Sequence, residues 1–183
     1  MGRSKEWEIA DKFDTGDVYA LCRCGDSKSM PFCSGVHTKI EFNGVETASR
    51  CVYAERSKSY PAAEGIELLQ DPSLCTGGAF CHGINDINRI VKKGKKLDVA
   101  KQQICDCPGG SLTLRIGSET MEPDFDMEIV ATVISGKPGP IWVRGGIPII
   151  AQDGFEYEVR NRVALCACGK SSNKPFCDSS HLR

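Results

Sequence analysis

Apolar and polar positions alternate in short runs along this chain, and few runs are long. Tyr157, Val159, Val163 and Leu165 fall on one face of Tyr157–Leu165, as expected of a strand with one wet side. Asp17–Leu21 reads as its shorter counterpart, and Glu64–Leu69, Ser111–Arg115 and Met127–Ile134 also read as strands. Leu97–Ile104 has the spacing of a helix. Ile141–Arg144 and Ile147–Ile150 read as a hairpin about Gly145-Gly146, with Pro148 pointing to an edge position. Lys92–Lys96 is read as a solvated basic loop. The pattern predicts an α+β fold of short elements and many loops.

Both Asp17–Leu21 and Tyr157–Leu165 run directly into Cys-x-Cys. The first is Cys22-Arg23-Cys24-Gly25, continuing to Pro31-Phe32-Cys33 and His37. The second is Cys166-Ala167-Cys168-Gly169, continuing to Pro175-Phe176-Cys177 and His181. At an offset of 144, Ala20–His37 and Ala164–His181 share ten of eighteen residues, every Cys and His among them. Four potential ligands held in register twice point to a metalloprotein.

Composition narrows the compartment and the partners. The 183-residue chain has a net charge of −1, which favours neither nucleic acid nor an anionic membrane. It has no apolar run of membrane-spanning length. Met1–Trp7 alternates charges instead of forming an export signal, and Glu6 stands where a myristoylation signal at Gly2 wants Ser or Thr. Eleven cysteines without a leader read as metal ligation in a reducing, cytoplasmic setting, and an odd number excludes complete internal pairing. A buried small hydrophobe would explain Cys51 alone.

Residues two apart on an extended segment share a side, so Cys22 and Cys24 can grip one metal. Residues four apart on a helix share a face, which gives Cys33 and His37 a second grip. Pro-Phe-Cys would start that helix, since Pro is tolerated in a first turn. Two grips of two ligands suit a binuclear [2Fe–2S] centre. A single structural zinc held by three Cys and one His is the rival, although zinc sites usually open with a wider Cys-x(2–4)-Cys knuckle.

The residues Cys-x-Cys-x2-Ser-x3-Pro-x-Cys-x3-His, present as Cys22–His37 and Cys166–His181, resemble the CDGSH (NEET) iron–sulfur family. The resemblance covers about eighteen residues at each end. It implies a [2Fe–2S] cluster on Cys22, Cys24, Cys33 and His37, and another on Cys166, Cys168, Cys177 and His181. Family members pair two cluster units about a twofold axis beneath a β-rich cap, so a tandem chain implies a monomer with an intramolecular pseudo-dimer. The copies depart from the family differently: Ser34 replaces the Asp after the third cysteine, and Ser179 replaces a usual Gly after Asp178. Asp178 can cap the following turn with a charge and Ser34 cannot, which predicts unequal lability or potential. Mixed Cys/His ligation raises a cluster's potential and lets the imidazole couple electron gain to proton gain, and acid competes with iron for that ring.

Cys75-Thr76-Gly77-Gly78-Ala79-Phe80-Cys81 and the later Cys107-Pro108 resemble a divergent mono-cluster ferredoxin segment over roughly Glu64–Arg115, with Gly78 in a ligand position. Three thiolates from Cys75, Cys81 and Cys107 would hold [3Fe–4S]. A [4Fe–4S] cluster needs a fourth ligand from Cys105, Cys51 or His82. A degenerate segment that binds nothing is the competing reading. Gly139–Ile149 resembles the β segment before the motif in longer CDGSH proteins, with Trp142 read as packing and Arg144 as a solvated strand residue.

The organisation expected is therefore a CDGSH-type unit over residues 1–48, a ferredoxin-like α+β insert over 49–120, and β-rich cap strands with a second CDGSH-type unit over 121–183. The function expected is electron transfer, redox sensing or cluster transfer with a redox or cluster-acceptor protein partner. A structural zinc protein and a redox enzyme with a third cluster are the alternatives. No phosphate-binding glycine loop and no nucleophile–base set supports the enzyme.

Overall fold

The computed structural model describes residues 7–9 and 13–182; Met1–Glu6, which carried the readings on export and on Gly2, lies outside them. Two four-stranded antiparallel sheets and three helices form an α+β fold. The first sheet takes the order β1-β6-β7-β8, from β1 (Trp7–Ile9), β6 (Glu128–Ile134), β7 (Lys137–Arg144) and β8 (Arg162–Leu165). The second takes the order β2-β3-β4-β5, from β2 (Lys58–Tyr60), β3 (Ile66–Gln70), β4 (Leu112–Ile116) and β5 (Glu119–Met121). Among the described residues no helix is long and apolar enough to cross a membrane.

The second sheet is backed by α2 (Ile87–Lys93) and α3 (Leu97–Cys105). Asp86 caps α2 by accepting from the Arg89 N–H at 3.2 Å, and Gly94 ends it in the left-handed region. Leu68, Ile87, Val91, Ala100, Ile104 and Leu114 fill the core between. Lys92 and Lys93 therefore belong to the last turn of a helix, where cations suit the dipole, and only part of Lys92–Lys96 is the expected loop.

In the first sheet, β6 and β7 form a hairpin whose turn is Ser135-Gly136, both with positive φ, the backbone that a two-residue hairpin favours. Gly145-Gly146 does not turn a hairpin. β7 pairs with β8 instead, and Ile147–Ile150 contributes only a bridge from Ile150 to Glu156. Gly145 is needed because a Cβ there would collide with the Asp126 carbonyl. The long strand expected over Tyr157–Leu165 shrinks to β8, and Asp17–Leu21 to a single bridge at Leu21. Trp142 is half-buried against Phe125, and Arg144 pairs with Glu128 and stacks on Phe125 and Trp142, so it is less solvated than expected.

A polar seam joins the two cores. Arg162, 1% exposed at the start of β8, donates to the carbonyls of Ile104 (2.6 Å) and Cys107 (2.8 Å) and pairs with Glu122. The short helix α1 (Tyr53–Arg56) adds the Tyr53 hydroxyl, which donates to the Ser111 carbonyl at 3.0 Å, and Arg56, 2.8 Å from Asp71. Because β8 leads straight into Cys166, this seam ties the middle cysteines to the C-terminal motif. Arg162→Ala would strand two buried carbonyls and a partly buried carboxylate. We expect it to cost about 3 kcal/mol or more in denaturant unfolding, against well under 1 kcal/mol for Arg115→Ala in its exposed pair with Glu67.

Candidate metal centre

Each terminal motif is a tight return of the chain upon itself. In the first, Leu21 bridges Phe32, the Cys22 N–H donates to the Pro31 carbonyl (2.8 Å), and the Cys33 N–H donates to that of Ala20 (2.8 Å). In the second, Leu165 bridges Phe176, Cys166 donates to Pro175 (2.9 Å), and Cys177 donates to Ala164 (2.7 Å). The Ser27 hydroxyl donates to the Phe32 carbonyl at 2.6 Å and accepts from the Ser29 N–H; Ser171 does the same with Phe176 at 2.7 Å and Asn173. The shared serine is thus the brace of the loop between the two ligand arms.

Pro-Phe-Cys does not start a helix. Cys33 and Cys177 are still bonded to the preceding arm, so the backbone remains extended there. The 3-10 turns that carry the histidines begin only at Val36 and Ser180. They nonetheless bring the expected pairs together. The Sγ atoms of Cys22 and Cys24 are 3.7 Å apart, and those of Cys166 and Cys168 are 3.8 Å apart. The Nδ1 atoms of His37 and His181 each lie 3.4 Å from the Sγ of Cys33 and Cys177. A metal with thiolate bonds of about 2.3 Å and tetrahedral angles needs a sulfur–sulfur separation of about 3.8 Å. Each pair is spaced to chelate one metal. Among the described residues, no three Cys, His, Asp or Glu side chains converge on a single ion.

The thiols carry the marks of crowded ligands. The bond with Cys168 holds the Cys166 thiol down to about 5 against its burial, and pushes Cys168 up. Burial raises Cys22, but backbone N–H groups of Ser27 and Gly25 outweigh it and leave that thiol below its usual range, while burial raises Cys24. Within each pair the first cysteine is the more acidic thiol, and metal binding must displace the protons that remain.

The two motifs meet back to back. A Cβ on Gly25 would stand 2.9 Å from the Cys168 carbonyl oxygen, and one on Gly169 would stand 2.5 Å from that of Cys24. Both glycines also hold positive φ. Either requirement excludes a side chain.

Their surroundings differ. His37 is exposed and Cys33 half-buried, whereas Cys177 is 3% exposed and His181 half-buried. The edge of Trp7 meets the His181 ring, with centroids 6.4 Å apart. A Cβ on Gly77 would stand 3.0 Å from that of Ser179, so the loop after Cys75 lies on the C-terminal ligand turn. Asp178 accepts from the Ser180 N–H (3.0 Å) and from the N–H and hydroxyl of Ser172 (2.9 and 2.7 Å), which outweighs burial and lowers its pKa. At the N-terminal turn Gly35 is the cap residue and makes no side-chain capping bond, so Ser34 does not take over the role.

Cys75, Cys81 and Cys107 lie near enough to influence one another without converging on one ion, and Gly109 is packed against the Leu74 carbonyl with no room for a Cβ. Burial, then the neighbouring Cys107 and Cys75, push the Cys81 thiol up to about 12. Burial raises Cys107 too, opposed by the Arg162 guanidinium. Cys105 is half-buried beside the same arginine, two residues before Cys107 in the chain. His82 is exposed and lies 3.1 Å from Asp86, and Cys51 is exposed, so neither is held ready as a fourth ligand.

Residues 2–38 and 138–182 match the family model described as iron-binding zinc finger CDGSH type. No curated protein and no solved structure matches the chain. Each matched segment contains one complete Cys-x-Cys…Cys…His set, so the chain carries two segments of the CDGSH iron-binding type.

Proposed function

We propose that this iron–sulfur protein holds one [2Fe–2S] cluster on Cys22, Cys24, Cys33 and His37 and another on Cys166, Cys168, Cys177 and His181, and serves in electron transfer, redox sensing or cluster transfer with a protein partner. The observation that carries the reading is the grouping of the ligands. Each motif offers two chelating pairs at 3.4–3.8 Å instead of one convergent set of four. A mononuclear structural zinc would draw all four ligands together, so the arrangement favours a binuclear core. The back-to-back glycine contacts support an intramolecular pair of cluster units within one chain.

A bound cluster supplies one-electron chemistry. The residues around it set who can reach it. With Nδ1 turned to the Cys33 thiol, the His37 ring presents its other edge at an exposed surface, where a proton can be held and a partner can approach. The C-terminal site is shielded by Trp7 and the Gly77 loop. Exchange with partners therefore belongs to the N-terminal site, and retention to the C-terminal one.

The gathering of Cys75, Cys81 and Cys107 supports a third cluster, of the [3Fe–4S] type, or of the [4Fe–4S] type if Cys105 joins.

Anaerobically purified protein should contain about four iron and four sulfide for two binuclear clusters, and about three or four more iron with about four more sulfide for a third. Zinc in both motifs with no sulfide would overturn the reading. A chelator should strip the exposed N-terminal centre first, seen as two phases of visible absorbance loss. Asp178→Ala should speed the slow phase roughly fivefold, equivalent to ~1 kcal/mol of lost capping, and Ser34→Asp should slow the fast one. A single phase in the wild type would contradict the asymmetry.

A further inference from the structure

Arg23 lies between two ligands of the N-terminal motif, yet its side chain serves the other motif. On an extended segment it points away from the side shared by Cys22 and Cys24. Its Nε donates to the Cys166 carbonyl at 2.9 Å, and its NH2 group reaches the Pro175 carbonyl at 3.4 Å. The Pro175 oxygen also receives the Cys166 N–H, the bond that closes the C-terminal ligand loop. A planar guanidinium suits such a two-carbonyl grip, because its donors are fixed relative to one another. Arg23 enters none of the ion pairs among the described residues, so no carboxylate within bonding range neutralises it.

The relation is not reciprocal. The position equivalent to Arg23 in the second motif is Ala167, which is 5% exposed and packed in the core with Tyr157 and Phe176. The C-terminal strand cannot return the same bonds or charge to the N-terminal site.

We infer that Arg23 is a positioning and charge-setting residue of the C-terminal centre, supplied across the junction by the N-terminal motif. The inference rests on the proposal that both motifs hold clusters. A fixed positive charge, bonded to the carbonyl of a ligand residue, favours the more negative, reduced state of that centre. Net charge and hydrogen bonding are among the levers that set cluster potentials. Burial of the C-terminal ligands strengthens the effect, since water screens less there. Arg23 therefore raises the potential of the C-terminal centre, against the lowering that burial and the Asp178 carboxylate bring. The N-terminal strand completes a site to which it contributes no ligand.

The test is a potentiometric titration, followed by EPR, of the full-length wild type, Arg23→Gln and Arg23→Lys. Signals are assigned with His37→Cys and His181→Cys, each of which replaces the imidazole of one centre by a thiolate. Gln keeps hydrogen-bond donors and removes the charge; Lys keeps the charge and loses the fork. We expect Arg23→Gln to move the C-terminal potential negative, by more than it moves the N-terminal one, and Arg23→Lys to retain most of the wild-type value. A C-terminal potential unchanged in Arg23→Gln, or equal displacement of both centres, would overturn the role of Arg23 with the cluster reading intact. Wild-type protein devoid of iron and sulfide would instead remove the cluster reading itself.

Discussion

Everything at the two ends of this molecule depends on a short backbone ladder. The bonds from Cys22 to Pro31 and from Cys33 to Ala20, and their C-terminal equivalents, hold a Cys-x-Cys arm against its returning partner. Without them, ligands eleven residues apart would wander independently, and a metal would have to order the whole loop on binding. With them, and with Ser27 and Ser171 bracing the loops, the thiols already stand at chelating distance. The energy of cluster assembly is then spent little on ordering, which is the advantage of a preorganised site.

The second consequence is that duplication produced two unequal sites. The N-terminal copy buries Cys22 and Cys24 but exposes His37, with no side-chain cap on its histidine turn. The C-terminal copy is capped by Asp178, covered by Trp7 and the Gly77 loop, and gripped by Arg23 from the other motif. Burial and the Asp178 carboxylate oppose negative charge there, and the Arg23 cation favours it, most of all where water screens little. The buried Arg162 extends this support from the middle cysteines into β8, the strand that delivers Cys166.

What the sequence makes legible follows from which interactions are local. The eight Cys and His residues proposed as ligands can be read from residue identity and spacing, because metal chemistry tolerates few substitutes. β3, β4, β6 and α3 announce themselves by periodicity. Pro31-Phe32-Cys33 was misread as a helix start, since the bond that keeps it extended comes from Ala20, outside the segment. Gly145-Gly146 looked like a hairpin turn, but Gly145 answers a steric demand from Asp126, far away in sequence. α2 carries local signals of its own, Asp86 as its cap and Gly94 at its end. The cover over His181 and the cross-motif reach of Arg23 are tertiary facts, and no local pattern encodes them.

Native mass spectrometry of the anaerobically purified chain tests the central claim most directly, because it weighs intact metal cores. The account predicts mass increments of two iron and two sulfur atoms per core, with at least two such cores on one chain and the terminal pair lost when Cys22 and Cys166 are both replaced by Ala. A dominant species carrying single metal ions without sulfur would contradict it.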